Sequence, residues 1–507
     1  MGYTLVTSLV DTPGAPPPVQ WRVTTVGLSG NKSFGLDIVG VCSTSRLELQ
    51  RRLDAGLMQI YREIEGNHMT DLAYTTVDAT PDVVANAGHP SNGLALLAAA
   101  VHQSEPWTTL PDDFVYCGSV AADGTVLPPV NPIALALQAK QLGKTLVMEY
   151  EAARTAAYVY DRVLGVADAA ELYRVVGGEV DAQAQPRPPL RKCLSGHVDL
   201  SHVRGQAAAK YALEVAIAGG HDCLLIGSPG EGKSLLAKCI PGIAPALTDA
   251  EAIEVAQVYH AAGKLSSNEL PAERPLRSID ATITKQALLG GGSDVAYPGE
   301  VSLAHNGYLY FDEILQCTRS TLEGLRTPLQ EGSISISRTA WKATFPARFQ
   351  LIAASNPCSC GFWDELDPGR CTCTETARAK YRSKLSGPLL DRIEVRSVVR
   401  PLGVAEYLSD AQPADDSATV RARITSAIER QMVRQGVLNA HIPPQQEHIL
   451  QKDIDKAAVL EYATGRTIRG VVALLKLGRT VADLDGSDTV TAEHMRLARQ
   501  LSPDMTT

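Results

Sequence analysis

The sequence predicts an α/β fold, a doubly wound parallel sheet with a C-terminal helical lid, preceded by a separate α+β unit. Three observations support this prediction. A glycine-rich loop near residue 230 joins an apolar run to a helical pattern, strands alternate with helices through the middle of the chain, and the pattern is helical from about Ala418 onwards. The 507 residues exceed what one core holds and suggest about three domains.

Changes of pattern along the chain set the expected boundaries. We expect an α+β or α/β unit over residues 1–180, a proline-bearing linker over 181–198, the parallel sheet over 199–400 and the helical lid over 416–507. The elements predicted from periodicity are the strands Val19–Val26, Phe114–Cys117 and Phe349–Ser355 and the helices Ser45–Tyr61, Asn92–His102, Pro132–Leu142, Gln206–Ala218, Ala250–Ala262, Thr419–Gln435 and Thr467–Leu484.

Composition narrows the class of protein. Hydrophobic residues make up 45% and charged residues 20%, which is ordinary for a globular chain. No window approaches the roughly 18 uncharged apolar residues of a membrane span, and the first ten residues lack the basic start of a signal peptide, so we expect a cytoplasmic protein. The net charge of −9 opposes DNA binding only weakly, because a ring can confine its basic residues to a central pore.

The most informative motif is a GxxxxGK[ST] loop that follows the apolar run Cys223–Ile226 and opens a helical pattern. In this context glycines let backbone N–H groups wrap phosphate oxygens, the lysine reaches the β- and γ-phosphates and the serine hydroxyl binds Mg²⁺. The predicted nucleotide-binding residues are Gly227, Ser228, Pro229, Gly230, Glu231, Gly232, Lys233 and Ser234. The sequence therefore predicts that the chain binds and hydrolyses ATP with Mg²⁺.

Two further strands end in polar residues. The first, about eighty residues after the loop, ends in Asp312, expected to support the metal with Ser234, and Glu313, expected to polarise the attacking water. The second ends in Asn356. This side chain either orients the water, as a polar residue does here in ASCE-type P-loop ATPases, or forms the turn before Pro357.

Two arginines are candidates for contact with the γ-phosphate. Arg392 begins a helix after a turn, where it could reach the nucleotide of a neighbouring subunit. The alternative is a surface arginine that caps a helix or pairs with Asp391. Arg469 begins a helix of the lid and is either a sensor of the γ-phosphate or an exposed helical arginine.

Several long motifs occur together in a fixed order. They are Asp199–Gln206, Gly219–His221, Ile240–Pro245, Gly290–Ser293, Pro298–Gly307, Leu325–Gly332 and Ser386–Arg392. Through them the chain resembles the magnesium-chelatase-like AAA+ family from about Asp199 to Ile393, and more loosely through the lid. Within that family it is similar to the ComM-type proteins, hexameric helicases that drive branch migration. Where the family usually shows Pro-His-His, this chain has Ser278-Ile-Asp-Ala281, which leaves the role of that histidine pair open.

The resemblance implies a role for each candidate residue. Asp312 and Glu313 correspond to the Walker B pair, Asn356 to sensor 1, Arg392 to the arginine finger and Arg469 to sensor 2. It also implies a homo-oligomeric ring, expected to be a hexamer, that acts on single-stranded or branched DNA.

The first 180 residues weakly resemble the Lon-protease-like domain that precedes the motor in ComM-type proteins, through the segment Gly118–Pro128. A working Lon-type site needs a serine beside a lysine base. The helix from Pro132 has no lysine until Lys140, and Ser91 lacks the expected context. We therefore expect a non-proteolytic binding or assembly module.

Two segments are candidates for DNA contact. Residues 282–293 include three consecutive glycines, as expected of a flexible pore loop that interrupts a helix. Residues 334–345 are predicted as a β-hairpin whose basic tip contacts phosphates while a tryptophan stacks on a base. The alternative is that the tryptophan covers the core and the cations are solvated. The residues expected to contact DNA are Lys285, Arg338, Trp341 and Lys342.

Four of the ten cysteines form two Cys-x-Cys pairs, Cys358, Cys360, Cys371 and Cys373. Four thiolates at this spacing could hold Zn²⁺ tetrahedrally and pin an insertion that lacks its own core. Buried free thiols and a redox role are the alternatives. The other six cysteines are expected to be small apolar core residues.

Three functions remain. The leading expectation is an ATP-driven DNA motor, a hexameric helicase that promotes branch migration during recombination or DNA uptake. The alternatives are a protein-remodelling or metal-insertion motor of the magnesium-chelatase type, and an ATP-dependent protease of the Lon type. The absence of a Ser/Lys pair disfavours the protease.

Overall fold

The computed structural model describes most of the chain. The described residues are 4–10, 18–27, 35–38, 43–63, 75–81, 89–104, 110–177, 197–265, 270–292, 296–337, 342–363, 368–385, 387–402 and 415–503. Most of the linker predicted at 181–198 therefore lies outside the described residues.

The first unit contains a seven-stranded mixed sheet. Its strands are β1 (Thr4–Ser8), β2 (Val19–Gly27), β3 (Gly35–Ile38), β4 (Thr75–Pro81), β5 (Phe114–Tyr116), β8 (Thr145–Glu149) and β9 (Val163–Val166), and β6 (Ser119–Val120) pairs separately with β7 (Val126–Leu127). The order is β3-β4-β2-β1-β5-β8-β9. Strand β2 runs antiparallel to both of its neighbours, whereas the other pairs are parallel.

Five helices accompany this sheet: α1 (Ser43–Glu63), α2 (Gly93–Ser104), α3 (Pro132–Leu142), α4 (Tyr150–Ala156) and α5 (Ala169–Val176). Every residue from Leu94 to Val101 in α2 is buried, because this run has no polar face to turn towards solvent. At the start of α2, Ser8 Oγ donates to Asn92 Oδ1 over 2.6 Å and accepts from Trp21 Nε1 over 3.1 Å. These bonds satisfy buried polar groups on β1 and β2.

The second unit contains a five-stranded sheet in the order β11-β14-β17-β10-β18. Its strands are β10 (Cys223–Ile226), β11 (Leu276–Ile279), β14 (Gly307–Phe311), β17 (Phe349–Ser355) and β18 (Val395–Val398). All neighbouring pairs are parallel, which confirms the predicted parallel sheet. Because parallel strands end at the same edge, the segments that follow β10, β14 and β17 meet there.

Short helices connect these strands. They are α6 (Ala207–Gly219), α7 (Lys233–Lys238), α8 (Ile240–Ile243), α9 (Asp249–Ala261), α10 (Lys285–Leu289), α11 (Glu300–Leu303), α12 (Arg319–Gly324), α13 (Arg326–Glu331), α14 (Glu375–Arg382) and α15 (Gly387–Leu390). Helix α9 also contacts the first unit. Asn131 Nδ2 donates to Gln257 O over 3.1 Å, and Ala256 is buried in the same apolar cluster as Ile133.

The C-terminal region is helical, as predicted, with α16 (Ser417–Gln435), α17 (Lys456–Ala463), α18 (Ile468–Leu484) and α19 (Ala492–Leu501). A buried ionic network joins two of these helices. Asp483 accepts from both terminal nitrogens of Arg434 over 2.7 Å and from Asn439 Nδ2 over 2.9 Å. In the part of the chain that the structure describes, no helix combines the length and apolar character needed to cross a bilayer.

The segment 282–293 differs from its prediction. Instead of a loop that interrupts a helix, α10 is followed by β12 (Gly290–Gly291), which pairs antiparallel with β13 (Tyr297–Pro298). A Cβ on Gly290 would lie 2.6 Å from Tyr297 O, and the backbone φ is +100°. The glycines here allow two backbones to approach closely, so their presence does not require flexibility. Ser293 lies outside the described residues.

The hairpin predicted over residues 334–345 is confirmed. Strand β15 (Ser333–Ser337) pairs antiparallel with β16 (Lys342–Pro346). Ile334, Ala343 and Phe345 are buried on the face towards the core, in agreement with the predicted alternation. The tip, residues 338–341, lies outside the described residues.

Candidate nucleotide-binding site

The glycine loop 227–232 leaves the carboxyl end of β10 and enters α7. Gly230 and Gly232 have φ of +87° and +90°, in the left-handed region that residues with a side chain rarely adopt. Space is not the constraint, since a Cβ at either position would meet nothing within 4 Å. The backbone conformation therefore explains the two glycines of the motif.

Lys233 is folded into the loop and is 6% exposed. Its Nζ donates to Gly227 O over 2.6 Å, to Ser228 O over 2.9 Å and to Asn356 Oδ1 over 3.1 Å. Burial lowers the pKa of the ammonium, while the charges of Glu313 and Asp312 oppose that shift. All three hydrogen-bond acceptors are neutral oxygens, so they position the cation without cancelling its charge.

Asp312 follows β14 and faces the start of α7. Its Oδ2 accepts from Ser234 Oγ over 3.2 Å, and its Oδ1 accepts from Tyr310 OH over 3.2 Å. Carboxylate and hydroxyl oxygens are hard donors of the kind that Mg²⁺ prefers. The two residues expected to share the metal are therefore adjacent, and their donor set fits that ion.

Glu313 has a left-handed backbone with φ of +58°. A non-glycine residue in this region is uncommon, and such strain concentrates at functional positions. Its Oε2 accepts from Gln316 Nε2 over 3.3 Å. The two acids that follow β14 therefore have different hydrogen-bond partners, Ser234 and Tyr310 for Asp312 and Gln316 for Glu313.

Asn356 lies at the end of β17, beside the loop. Its contact with Lys233 is a side-chain contact across 123 positions of sequence. The structure thus brings together the lysine, the serine, both acids and the asparagine at one edge of the sheet. The role of each residue in hydrolysis stays a prediction.

The two arginines lie elsewhere. The prediction that Arg392 begins a helix is wrong, because Arg392 lies in the turn that follows α15 and precedes β18. The first residue of β18 is level with Cys223 at the start of β10. The loop leaves β10 at its other end, about 13 Å away for a strand of this length. Arg392 Nη2 donates to Gln330 Oε1 over 3.3 Å, and Arg469 Nη1 lies 3.6 Å from Asp391 Oδ2. Both arginines therefore lie near the amino ends of the parallel strands, whereas Lys233 of the same chain follows the carboxyl end of β10.

A cavity of about 800 Å³, lined mainly by residues of α6, β18 and α19, was not predicted. Gln206 contributes to its wall and donates through Nε2 to Arg400 O over 2.6 Å and to Glu231 O over 3.4 Å. Tyr211, Arg396 and Leu497 also line it. The sequence motif Asp199–Gln206 was the one pointer to this cavity. Arg400 and Leu497, which line the cavity together with Gln206, lie about 200 to 300 positions later in the sequence.

The four cysteines of the two Cys-x-Cys pairs form one cluster. Their Sγ atoms all lie within 4.8 Å of one another. Arg378 supports the cluster by donating to Cys373 O over 3.1 Å while its guanidinium stacks on Trp363 at 3.7 Å. A Cβ on Gly361 would lie 2.9 Å from Pro229, so the cluster segment packs directly on the glycine loop. Four thiol ligands at this distance fit a tetrahedral Zn²⁺ site.

The remaining cysteines and the candidate DNA contacts have simple placements. Of the six cysteines outside the cluster, Cys117, Cys223, Cys239 and Cys317 are buried, as predicted, and Cys42 and Cys193 lie outside the described residues. Lys285 is exposed in the first turn of α10, and Lys342 begins β16. Arg338 and Trp341 lie outside the described residues.

Comparisons with known proteins identify the relatives of the chain. The family profile described as "Magnesium chelatase, subunit ChlI" matches residues 199–407, and "Magnesium chelatase, subunit ChlI C-terminal" matches residues 414–501. The chain is 33% identical to YifB of Escherichia coli over 470 residues, 92% of this chain and 90% of YifB. It is 39% identical to competence protein ComM of Haemophilus influenzae over 306 residues, 59% of this chain and 58% of ComM. It is 25% identical to the magnesium-chelatase 38 kDa subunit of Cereibacter sphaeroides over 316 residues, 57% of this chain and 85% of that subunit.

Replacing Lys233 with alanine should weaken ATP binding by about 100-fold, because a charge-assisted contact to phosphate is lost. Titration with a fluorescent ATP analogue measures this change. Lys238→Ala is the matched control, since Lys238 is exposed at the other end of the same short helix. Equal affinity in the two variants would contradict the assignment of the loop.

Proposed function

Because the chain belongs to the magnesium-chelatase family of AAA+ ATPases, we propose that it is an ATP-hydrolysing ring motor that acts on DNA. The observation that carries the proposal is the convergence of Lys233, Ser234, Asp312 and Asn356 at one edge of a parallel sheet. Similarity to a competence protein supports DNA as the partner, as does the occurrence of Arg338 and Lys342 in the sequence of the hairpin segment. The specific activity proposed is that of a hexameric helicase promoting branch migration.

Nucleotide binding would use groups that already lie at the loop. Lys233 Nζ would exchange its neutral loop carbonyls for phosphate oxygens. The backbone N–H groups of the loop would bind the same phosphates. When bound, Mg²⁺ held by Ser234 and Asp312 would neutralise charge on the phosphates. Glu313 would accept a proton from the attacking water, and Asn356 would orient that water. The cavity beside Gln206 has room for the base of the nucleotide.

The proposed nucleotide site is shared between subunits, and the position of the arginines supports this part of the proposal. Arg392 and Arg469 lie near the amino ends of the strands, away from Lys233 of the same chain. Each arginine would therefore act on the nucleotide of a neighbouring subunit. An arginine supplied in trans stabilises charge that develops on the transferred phosphoryl group. A closed ring of identical subunits satisfies this requirement at every interface. Arg469, which corresponds to sensor 2, would then act on the nucleotide of the neighbouring subunit together with Arg392, the arginine finger.

DNA contact would be made by the hairpin β15–β16. Its buried face anchors it to the core, and it leads through residues 347 and 348 into β17, which ends at Asn356. Binding or hydrolysis of the nucleotide would therefore move the hairpin together with β17. Arg338 and Lys342 would contact phosphates, Trp341 would stack on a base, and Lys285 would add a further cation.

The cysteine cluster would hold a structural Zn²⁺. The ion would fasten the segment that follows Asn356 and that packs on Pro229 of the loop. This segment has few apolar residues of its own, and a metal supplies the missing stability in such cases. The cluster would thereby support the nucleotide site without contacting the nucleotide.

A subunit-mixing experiment tests the shared site. At ATP concentrations that saturate the wild type only moderately, Lys233→Ala subunits should bind little ATP, and Arg392→Ala subunits should bind ATP but hydrolyse it poorly. Mixed rings should regain activity, because about a quarter of randomly formed interfaces combine an intact loop with an intact arginine. Steady-state ATP hydrolysis measures the recovery. Mixing Lys233→Ala subunits with subunits that carry both substitutions is the control and should restore nothing. Mixed rings that stay inactive would exclude an arginine acting in trans.

DNA should stimulate ATP hydrolysis, and the hairpin should be required for that effect. Arg338→Ala combined with Lys342→Ala should weaken binding of single-stranded DNA and lower the salt slope by about one unit per lost phosphate contact. Fluorescence anisotropy at several salt concentrations measures both quantities. Lys452→Ala combined with Lys456→Ala removes two exposed cations from the helical region as a control. Equal DNA binding by the two double variants would argue against the hairpin.

Metal analysis tests the cysteine cluster. The purified protein should contain about one zinc per chain, and Cys371→Ser combined with Cys373→Ser should abolish it. The same variant should unfold at a lower temperature, since the segment that follows Asn356 loses the metal ion that stabilises it. Cys239→Ala, at a buried thiol outside the cluster, should retain the metal. A zinc-free wild-type protein with the same unfolding temperature as the cluster variant would refute the site.

A further inference from the structure

We propose that His221 is a positioning residue that locks the segment carrying Arg392 to the lid helix carrying Arg469. His221 ends the motif Gly219-Gly220-His221, and none of the roles described above uses it. The inference rests on the proposed function, in which both arginines complete the nucleotide site of a neighbouring subunit.

The geometry of the histidine is that of a bridge. Its side chain is completely buried. On one side Nδ1 is hydrogen-bonded to Glu394 Oε2, two residues after Arg392. On the other side Nε2 lies 2.8 Å from Thr480 Oγ1, in the helix α18 whose first turn contains Arg469. One imidazole ring thus connects the two segments that present the arginines.

The two glycines of the motif are explained by the same bridge. A Cβ on Gly219 would lie 2.3 Å from His221 Nε2 and 2.6 Å from Thr480 Oγ1. Gly220 has φ of +74°, and a Cβ there would lie 2.8 Å from Leu438 Cδ1 in the C-terminal region. Any larger residue at either position would push the histidine or the C-terminal region away. The motif therefore encodes a close contact between the sheet unit and the lid.

Hydrogen-bond donors and acceptors match at both ends of the bridge. A carboxylate only accepts, so His221 Nδ1 donates to Glu394. Thr480 Oγ1 accepts from Asn439 Nδ2 over 3.0 Å and has one hydrogen, which can point to His221 Nε2 or to Lys476 O at 2.9 Å. In the second case Nε2 carries a proton and donates to Thr480. The ring keeps both partners in either arrangement.

The turn that holds His221 is itself firmly attached to the sheet. His221 O accepts from Gln350 Nε2 over 2.6 Å, and Asp222 Oδ1 accepts from Leu351 N over 2.8 Å. Asp222 O also accepts from Val395 N over 3.0 Å, directly after Glu394. These bonds make the turn a fixed point from which the histidine can set the position of α18.

A second polar link between the two segments is more exposed. Arg469 and Asp391 lie 3.6 Å apart, with side chains 65% and 57% exposed. Solvent and salt screen such an exposed pair, whereas water cannot compete for the buried bonds of His221. The buried bridge therefore contributes more than this exposed ion pair to the spacing of Arg392 and Arg469.

Substitutions at Thr480 test the bridge without changing the histidine. Thr480→Val removes the hydroxyl at nearly constant shape, and kcat for ATP should fall about tenfold because misplaced catalytic groups lose rate steeply. ATP affinity should stay within about twofold of wild type, since Lys233 and its loop are untouched. Thr480→Ser keeps the hydroxyl and should restore kcat. Thermal unfolding of both variants checks the fold.

Coupling to Arg392 separates positioning from general structural support. His221→Asn keeps a donor at the position of Nδ1 and His221→Gln keeps one at the position of Nε2, so each breaks one end of the bridge and should lower kcat about tenfold. In an Arg392→Ala background the same changes should cause a much smaller further loss, because only Arg469 is left to be misplaced.

The outcomes distinguish this inference from the proposed function. Normal kcat in Thr480→Val, or losses that multiply with that of Arg392→Ala, would overturn the positioning role while leaving the ATPase intact. A wild-type protein that does not hydrolyse ATP would instead contradict the proposed function. Wild-type turnover in Arg392→Ala would overturn both the arginine assignment and this inference.

Discussion

The parallel direction of five strands is the constraint on which the site depends. Because β10, β14 and β17 run the same way, the glycine loop, the two acids and Asn356 all follow strand ends at one edge. The same alignment places the segment before β18, with Arg392, at the opposite edge. The parallel strand direction therefore brings the loop, the acids and Asn356 together and separates them from Arg392, which would complete the proposed site of a neighbour.

Burial of a cation gives the site its electrostatic character. Lys233 is held by two backbone carbonyls and one side-chain amide, which satisfy its hydrogen bonds but leave a positive charge in a partly desolvated loop. An anionic ligand removes that penalty more effectively than water does. The lowered pKa of Lys233 has the same cause, since burial disfavours the charged form.

The C-terminal region is attached through buried polar contacts as well as apolar packing. Asp483 is 1% exposed and pairs with Arg434 and Arg479, while His221 connects Thr480 to Glu394. A buried pair stripped of one partner leaves an uncompensated charge, so such contacts define one arrangement sharply. Directional bonds of this kind suit a helix whose position must be set relative to a neighbouring site.

The sequence by itself determined the parallel sheet, the helical C-terminal region and the glycine loop, because periodicity and the φ demands of Gly230 and Gly232 are local properties. It also indicated that Asp312, Glu313 and Asn356 belong near the loop, since each follows an apolar strand. Only the tertiary structure placed Arg469 beside Asp391 and formed the cavity between Gln206, Arg400 and Leu497. It alone showed that Gly290 serves a close backbone approach and that His221 joins the sheet unit to the lid. These features depend on contacts between residues separated by many positions along the chain, and no local pattern encodes which distant surfaces meet.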